Sequence, residues 1–144
     1  MSSEKTINPF AVFILILSIL GIVLLAPFDF AAFYLGAGNY RYSCLTCEYA
    51  TAVDLAAQIF IIILLVIQII ISLNEVLPNR FIEKELDKIG MVLAGLTFLF
   101  AIIGIASFGA AYSEYEWWPE LGFYSSVVAG ILNALLFFLK DRNN

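Results

Sequence analysis

Residues 52–73 read AVDLAAQIFIIILLVIQIIISL, and this stretch decides the fold. From Ile59 to Ile71 every residue except Gln68 is Ile, Leu, Val or Phe. Polar and apolar residues do not alternate there, so a helix is expected rather than a barrel strand. A hydrocarbon core about 30 Å thick needs about 20 apolar residues in a helix. Residues 52–73 meet that length, and so do three other runs, at about 10–28, 89–112 and 122–139. The expected fold is all-α: an antiparallel bundle of four transmembrane helices, with residues 1–144 forming a single membrane domain.

Composition agrees with that reading. Of the 144 residues, 62% are hydrophobic and 13% charged. A small soluble globule cannot hide so large an apolar excess, and a disordered chain would not carry it. The chain has no histidine, which removes His-ligated metals and His-based catalytic triads. A net charge of −5 disfavours a nucleic-acid partner. The first run is read as a span rather than a cleaved leader: its apolar core is long, only Lys5 precedes it, and no small-x-small cleavage pattern clearly follows.

Lys5, Arg80, Lys84, Lys88, Lys140 and Arg142 flank the spans on one side, and only Arg41 lies on the other. This bias predicts that both termini and the middle loop are cytoplasmic. The outer loops, about 29–51 and 113–121, hold Asp29, Glu48, Glu114, Glu116 and Glu120, and Asp54 stands at the outer start of the second span, so the net negative charge faces outward. Ordinary solvation of an outer surface accounts for these acids; the sharper alternative is attraction of a cationic partner or ion. In the inner loop, Glu83–Asp87 and Lys84–Lys88 fall at helical spacing, predicting that residues 80–88 extend the third helix after a break at Pro78.

Cys44-Leu-Thr-Cys47 contains the only cysteines. On the outer side a structural disulfide is the default. A redox pair is the second reading, because two intervening residues is the spacing of thiol–disulfide exchange. Zinc is a poor third, for want of two further ligands. Outside the second of four spans, the motif resembles that of quinone-linked membrane enzymes that make disulfides. Those carry a second cysteine pair in the second outer loop, whereas residues 113–121 have none.

Gln58, Gln68, Thr97, Ser107 and Asn133 are polar groups within the spans, expected to hydrogen-bond between helices. With no charged residue at a span centre, active transport is disfavoured. Small residues crowd the third span, with Gly90/Ala94, Ala106/Ala110 and Ser107/Ala111 as small-xxx-small pairs. Together with Gly104 they make this span the expected packing centre, while much of the bulky Ile59–Ile71 run is expected to face lipid or a partner protein.

The aromatic residues Tyr40, Tyr42, Trp117 and Trp118 sit at interface depth. Anchoring is their ordinary role, and a contact surface is the alternative. The run Glu116-Trp117-Trp118-Pro119-Glu120-Leu121-Gly122-Phe123-Tyr124 resembles the aromatic, Gly-Phe-containing lead-in to the fourth span of the claudin and peripheral-myelin-protein superfamily. Ala56-Ala57-Gln58 resembles that family's Ala-rich start of the second span, and Gly38-Asn39-Tyr40 before Cys44 its first-loop motif. The resemblance covers the topology of the whole chain and two short stretches of sequence. Here two residues separate the cysteines, against roughly ten in that family, and its Gly-Leu-Trp is absent. The resemblance implies adhesion, barrier or accessory-subunit roles.

The expectation is a non-enzymatic tetraspan protein of the cell membrane that needs no cofactor or metal. It would be an adhesion or scaffold component or a small accessory subunit, its partners being membrane lipid and another membrane protein or a second copy. Cys44–Cys47 would rigidify the outer loop. Tyr40, Tyr42, Trp117, Trp118, Glu114, Glu116 and Glu120 would meet the partner, and Gly90, Ala94, Gly104, Ala106 and Ala110 would pack the bundle. A quinone-linked thiol–disulfide oxidoreductase using Cys44 and Cys47 is the first alternative. A passive channel formed by oligomers is the second.

Overall fold

A computed structural model describes residues 7–36, 38–82 and 84–142. Lys5 and Glu83, used in the charge reading above, lie outside the described residues. The chain is mostly helical. In order it forms α1 (Pro9–Leu25), β1 (Ala31–Tyr34), β2 (Tyr40–Ser43), α2 (Ala52–Val76), α3 (Asp87–Ala111), β3 (Glu116–Pro119) and α4 (Leu121–Arg142). Each helix packs on its sequence neighbours, and α4 closes the ring against α1, giving a four-cornered bundle.

Three helices, α2, α3 and α4, are long and apolar enough to cross a membrane. α1 is shorter, at 17 residues, or about 26 Å at the usual rise. It starts at Pro9 beneath an Asn8 cap whose side chain accepts from the Phe10 N–H at 2.9 Å. It stops at Leu25 rather than at the expected Phe28, because Pro27 offers no N–H to continue the ladder.

The inner loop corrects the charge-spacing expectation. Among the described residues no helix covers 77–86, and α3 begins only at Asp87. Asn74 holds this loop in its own shape. Its Oδ1 accepts from the Phe81 and Ile82 N–H groups, and its Nδ2 donates to the Ile82 carbonyl. The Ile82 carbonyl so engaged is one that a helical extension would need for the Leu86 N–H. Charge spacing alone could not outweigh these bonds.

Along α2, residues 54, 58, 61, 65, 68, 72 and 75 alternate steps of four and three, and all are buried. That is the inward stripe of a closely packed bundle helix. Ile61 and Leu65 join Leu25, Phe30, Phe33, Ala101, Phe108 and Ala129 in one core cluster. A second cluster, of Ile14, Ile71, Ala94 and Phe137, fills the other end. The opposite side of α2 is apolar and exposed at Ile59, Phe60, Ile63, Val66, Ile67 and Ile70, as the sequence implied.

At the end away from the chain termini the two loops expected to lie outside combine. β1 pairs antiparallel with β2 on one side and β3 on the other, giving the order β2-β1-β3. A hairpin within residues 29–51 is a natural use of so short a loop; the third strand comes from residues 113–121. Gly36 and Gly38, at φ 81° and 79°, let the β1–β2 turn close.

Candidate functional site

Strand alternation sorts the cap residues onto two faces. The register sets Tyr34 opposite Tyr40 and Glu116, and Ala32 opposite Tyr42 and Trp118. These six share the outer face. Ala31, Phe33, Arg41, Ser43, Trp117 and Pro119 occupy the other face, toward the bundle. Phe33 stacks on Tyr112, with ring centroids 4.0 Å apart, and also meets Phe108, Tyr49 and Tyr115. Trp117 covers Gly109, where a Cβ would collide with the indole, and its edge meets Phe108.

The aromatic residues singled out in the sequence therefore separate. Tyr40, Tyr42 and Trp118 belong to the outer face, whereas Trp117 packs inward while keeping an exposed rim. Trp118 Nε1 donates to Glu120 Oε1 at 2.6 Å, so Glu120 holds a neighbouring ring. Glu114 and Glu116 are exposed. Tyr34 joins this group in space. Its signal in the sequence was the period-two spacing of residues 32/34 and 40/42, too short beside the long apolar runs to be assigned a partner strand.

Cys44 and Cys47 form a disulfide directly after β2. Cys44 is buried, while Cys47 is half-buried and lines an open groove of about 310 Å³ with Tyr40, Arg41, Tyr42, Thr46, Glu48 and Tyr49. Asp29 lies beside the pair, with a carboxylate oxygen and both sulfurs within 4.8 Å of one another. Joined as a disulfide, the sulfurs are not thiolates, and the group falls short of the four ligands of a structural zinc site. Burial, and then the Glu120 carboxylate, raise the Asp29 pKa above its ordinary 3.8.

Asp54 departs from the solvated surface expected for the outer acids. It is fully buried at the first turn of α2, where its Oδ2 accepts from Ser43 Oγ at 2.7 Å. This bond ties the end of β2 to the bundle independently of the disulfide. One turn further on, Gln58 is equally buried, and its amide has no hydrogen-bond partner among the described residues.

Of the five expected packing residues, three face inward. Gly90 lies under the Phe137 ring, Ala94 is fully buried, and Gly104 meets Ala57 and Phe30. Ala106 and Ala110 are exposed instead. Residue 106 lies two positions past Gly104, about 200° around the helix, so this small pair cannot share that inward face.

At the other end Lys140 of α4 is buried against Asp87 of α3, with Glu75 of α2 at 3.6 Å. Glu75 also pairs with Arg80. Lys140 and Arg80 were counted in the sequence only as flanking charges; in the fold Lys140, Asp87 and Glu75 tie three helices together. Comparison with protein families, with curated proteins and with solved structures finds no match for this chain.

Proposed function

We propose that this is a multi-pass membrane protein that works through contact rather than catalysis, with four spans and both termini cytoplasmic. The observation that carries the reading is the cap: a three-stranded sheet made from both outer loops, anchored by Phe33, Trp117 and Asp54, that presents Tyr40 and Tyr42 outward. A fixed aromatic face with an acidic rim is a suitable hot-spot surface. The claudin-like sequence features agree with an adhesion, scaffold or accessory-subunit role at the cell membrane. α1 takes part as a short fourth span, completed by the apolar residues that flank it.

Crosslinking tests this proposal. A photoreactive side chain in place of Tyr42 should yield a discrete adduct with a membrane protein or a second copy in native membranes. The yield should fall when the rim is altered by Glu114→Gln, at an exposed position. An unchanged yield would sink the contact role of that rim.

A second reading, a thiol–disulfide oxidoreductase, draws support from the accessible Cys47 and the adjacent Asp29 carboxylate. An oligomeric channel would have to conduct between protomers, because Leu25, Ile61, Leu65 and Phe108 fill the middle of this bundle.

A further inference from the structure

We propose that the outer sheet face holds a binding site for a quaternary ammonium group, the chemistry shared by free choline and a phosphocholine lipid headgroup. Tyr34, Tyr40, Trp118 and Glu116 line one cavity of about 550 Å³. The register brings them there: Tyr34 sits on the central strand between Tyr40 and Glu116, and Trp118 lies two residues from Glu116 on the same face. The Tyr34 and Tyr40 rings are 5.6 Å apart and inclined by 55°. Tyr40 and Trp118 are 5.8 Å apart and inclined by 77°. The three rings, inclined to one another, thus border one open volume together with the Glu116 carboxylate. An organic cation within about 6 Å of each ring gains from all of them.

Hydrogen bonds fix two of the rings. Tyr34 Oη accepts from the Gly38 N–H at 3.0 Å, and Trp118 Nε1 donates to Glu120. The cage is thus formed before a ligand arrives, which lowers the ordering cost of binding. Glu116 is exposed, makes no ion pair among the described residues and supplies the opposite charge. Arg41, the sheet's own cation, does not fill the cage. It is on the opposite face, over the Tyr49 ring at 5.2 Å. A methylated ammonium suits the site better than a lysine: a primary ammonium demands three acceptors and is strongly hydrated. Ring faces and one carboxylate satisfy a cation that has no N–H to donate.

This site gives the proposed contact face a ligand chemistry, and its test is separate from crosslinking at Tyr42. The purified full chain, in a maltoside detergent free of ammonium groups, would be titrated calorimetrically with choline and with its neutral isostere 3,3-dimethyl-1-butanol. Choline should bind saturably, and the isostere about tenfold more weakly. Tyr40→Ala should weaken choline about tenfold and Glu116→Gln severalfold, as expected for a partly exposed cation–π site. Gly95→Ala in α3, where an added Cβ has nothing within 4 Å, should leave binding intact. Absence of choline binding by the unaltered protein overturns the site. So does equal binding of the isostere, or unchanged binding by the exposed and structurally mild Glu116→Gln variant. Nanodiscs separate the two sources. Choline binding that is weaker in phosphatidylcholine than in nanodiscs of a lipid that is likewise without net charge but carries no choline identifies the lipid headgroup as occupant, and equal binding identifies the free cation. A failed titration with a persistent Tyr42 adduct would remove the cage and leave the contact reading standing.

Discussion

Asn133 donates from Nδ2 to Gln68 Oε1 at 2.9 Å, joining α4 to α2 across the diagonal of the bundle. The same Nδ2 reaches Ser18 Oγ on α1 at 2.9 Å, and Gln68 Nε2 donates to Thr97 Oγ1 on α3 at 2.9 Å. One side chain from each helix thus meets at the centre, and all four residues are fully buried. In a bundle with apolar surroundings, such a knot specifies which helix faces are inside. Individual bonds of this kind contribute about 1 kcal/mol.

Asn133→Leu should therefore cost about 1–2 kcal/mol, since it leaves Gln68 Oε1 and Ser18 without their donor. Denaturation in detergent would measure it. Gln68→Leu and the double variant complete a cycle, and a coupling of at least about 0.5 kcal/mol is expected for residues in direct contact. Additive losses would show that the bond contributes nothing of its own.

The glycines of the bundle differ in what surrounds them. A Cβ at Gly130 would lie 2.8 Å from the Phe98 nitrogen and 3.1 Å from the Ala94 carbonyl, both backbone atoms that cannot swing aside. Gly130→Ala should destabilise by about 1–3 kcal/mol. Gly95 has nothing within 4 Å, so Gly95→Ala should be neutral or stabilise by up to about 1 kcal/mol through helix propensity. Ala110→Leu, on the exposed side, should stay within about 0.5 kcal/mol of the original. The same denaturation assay checks all three.

The long runs of α2, α3 and α4 were legible because bundle helices announce themselves by length and continuity. The inner loop was not, because the Asn74 side chain decides its shape and an isolated Asn carries no pattern. The small-residue rule found Gly90, Ala94 and Gly104 but also took in Ala106 and Ala110, since size alone does not say which way a helix is turned. Asp54 looked like one more outer acid until Ser43 arrived beside it from a strand eleven residues away. The sheet was hidden for the same reason: β3 finds β1 only after the two intervening helices have brought the two loops together.

Asp29 gives a pH signature with a definite sign. Its pKa is raised in the folded protein, first by burial and then by Glu120. The folded state therefore takes up a proton at higher pH than the unfolded chain does. Ionised Asp29 weakens the fold at neutral pH, and stability is regained as pH falls through the folded value toward the ordinary 3.8. Asp29→Asn should be more stable than the original at neutral pH, with the difference shrinking on acidification. Thermal melts at several pH values would show this, and a difference that stays constant with pH would remove the assignment.

The disulfide closes a loop of only three residue steps, Cys44 to Cys47. Loop closure this short removes little chain entropy, so reduction should cost about 2 kcal/mol and no more. Ser43, bonded to Asp54, keeps the end of β2 in place when the bridge is opened. A reductant should therefore lower the melting temperature while leaving helix content unchanged, as circular dichroism would report. The same thiols decide between contact and catalysis. Trapping in native membranes should find them oxidised and indifferent to added quinone. If quinone instead reoxidises a reduced pair repeatedly, the bridge is a working redox couple with Cys47 at its accessible end, and the contact reading gives way to a disulfide-forming enzyme.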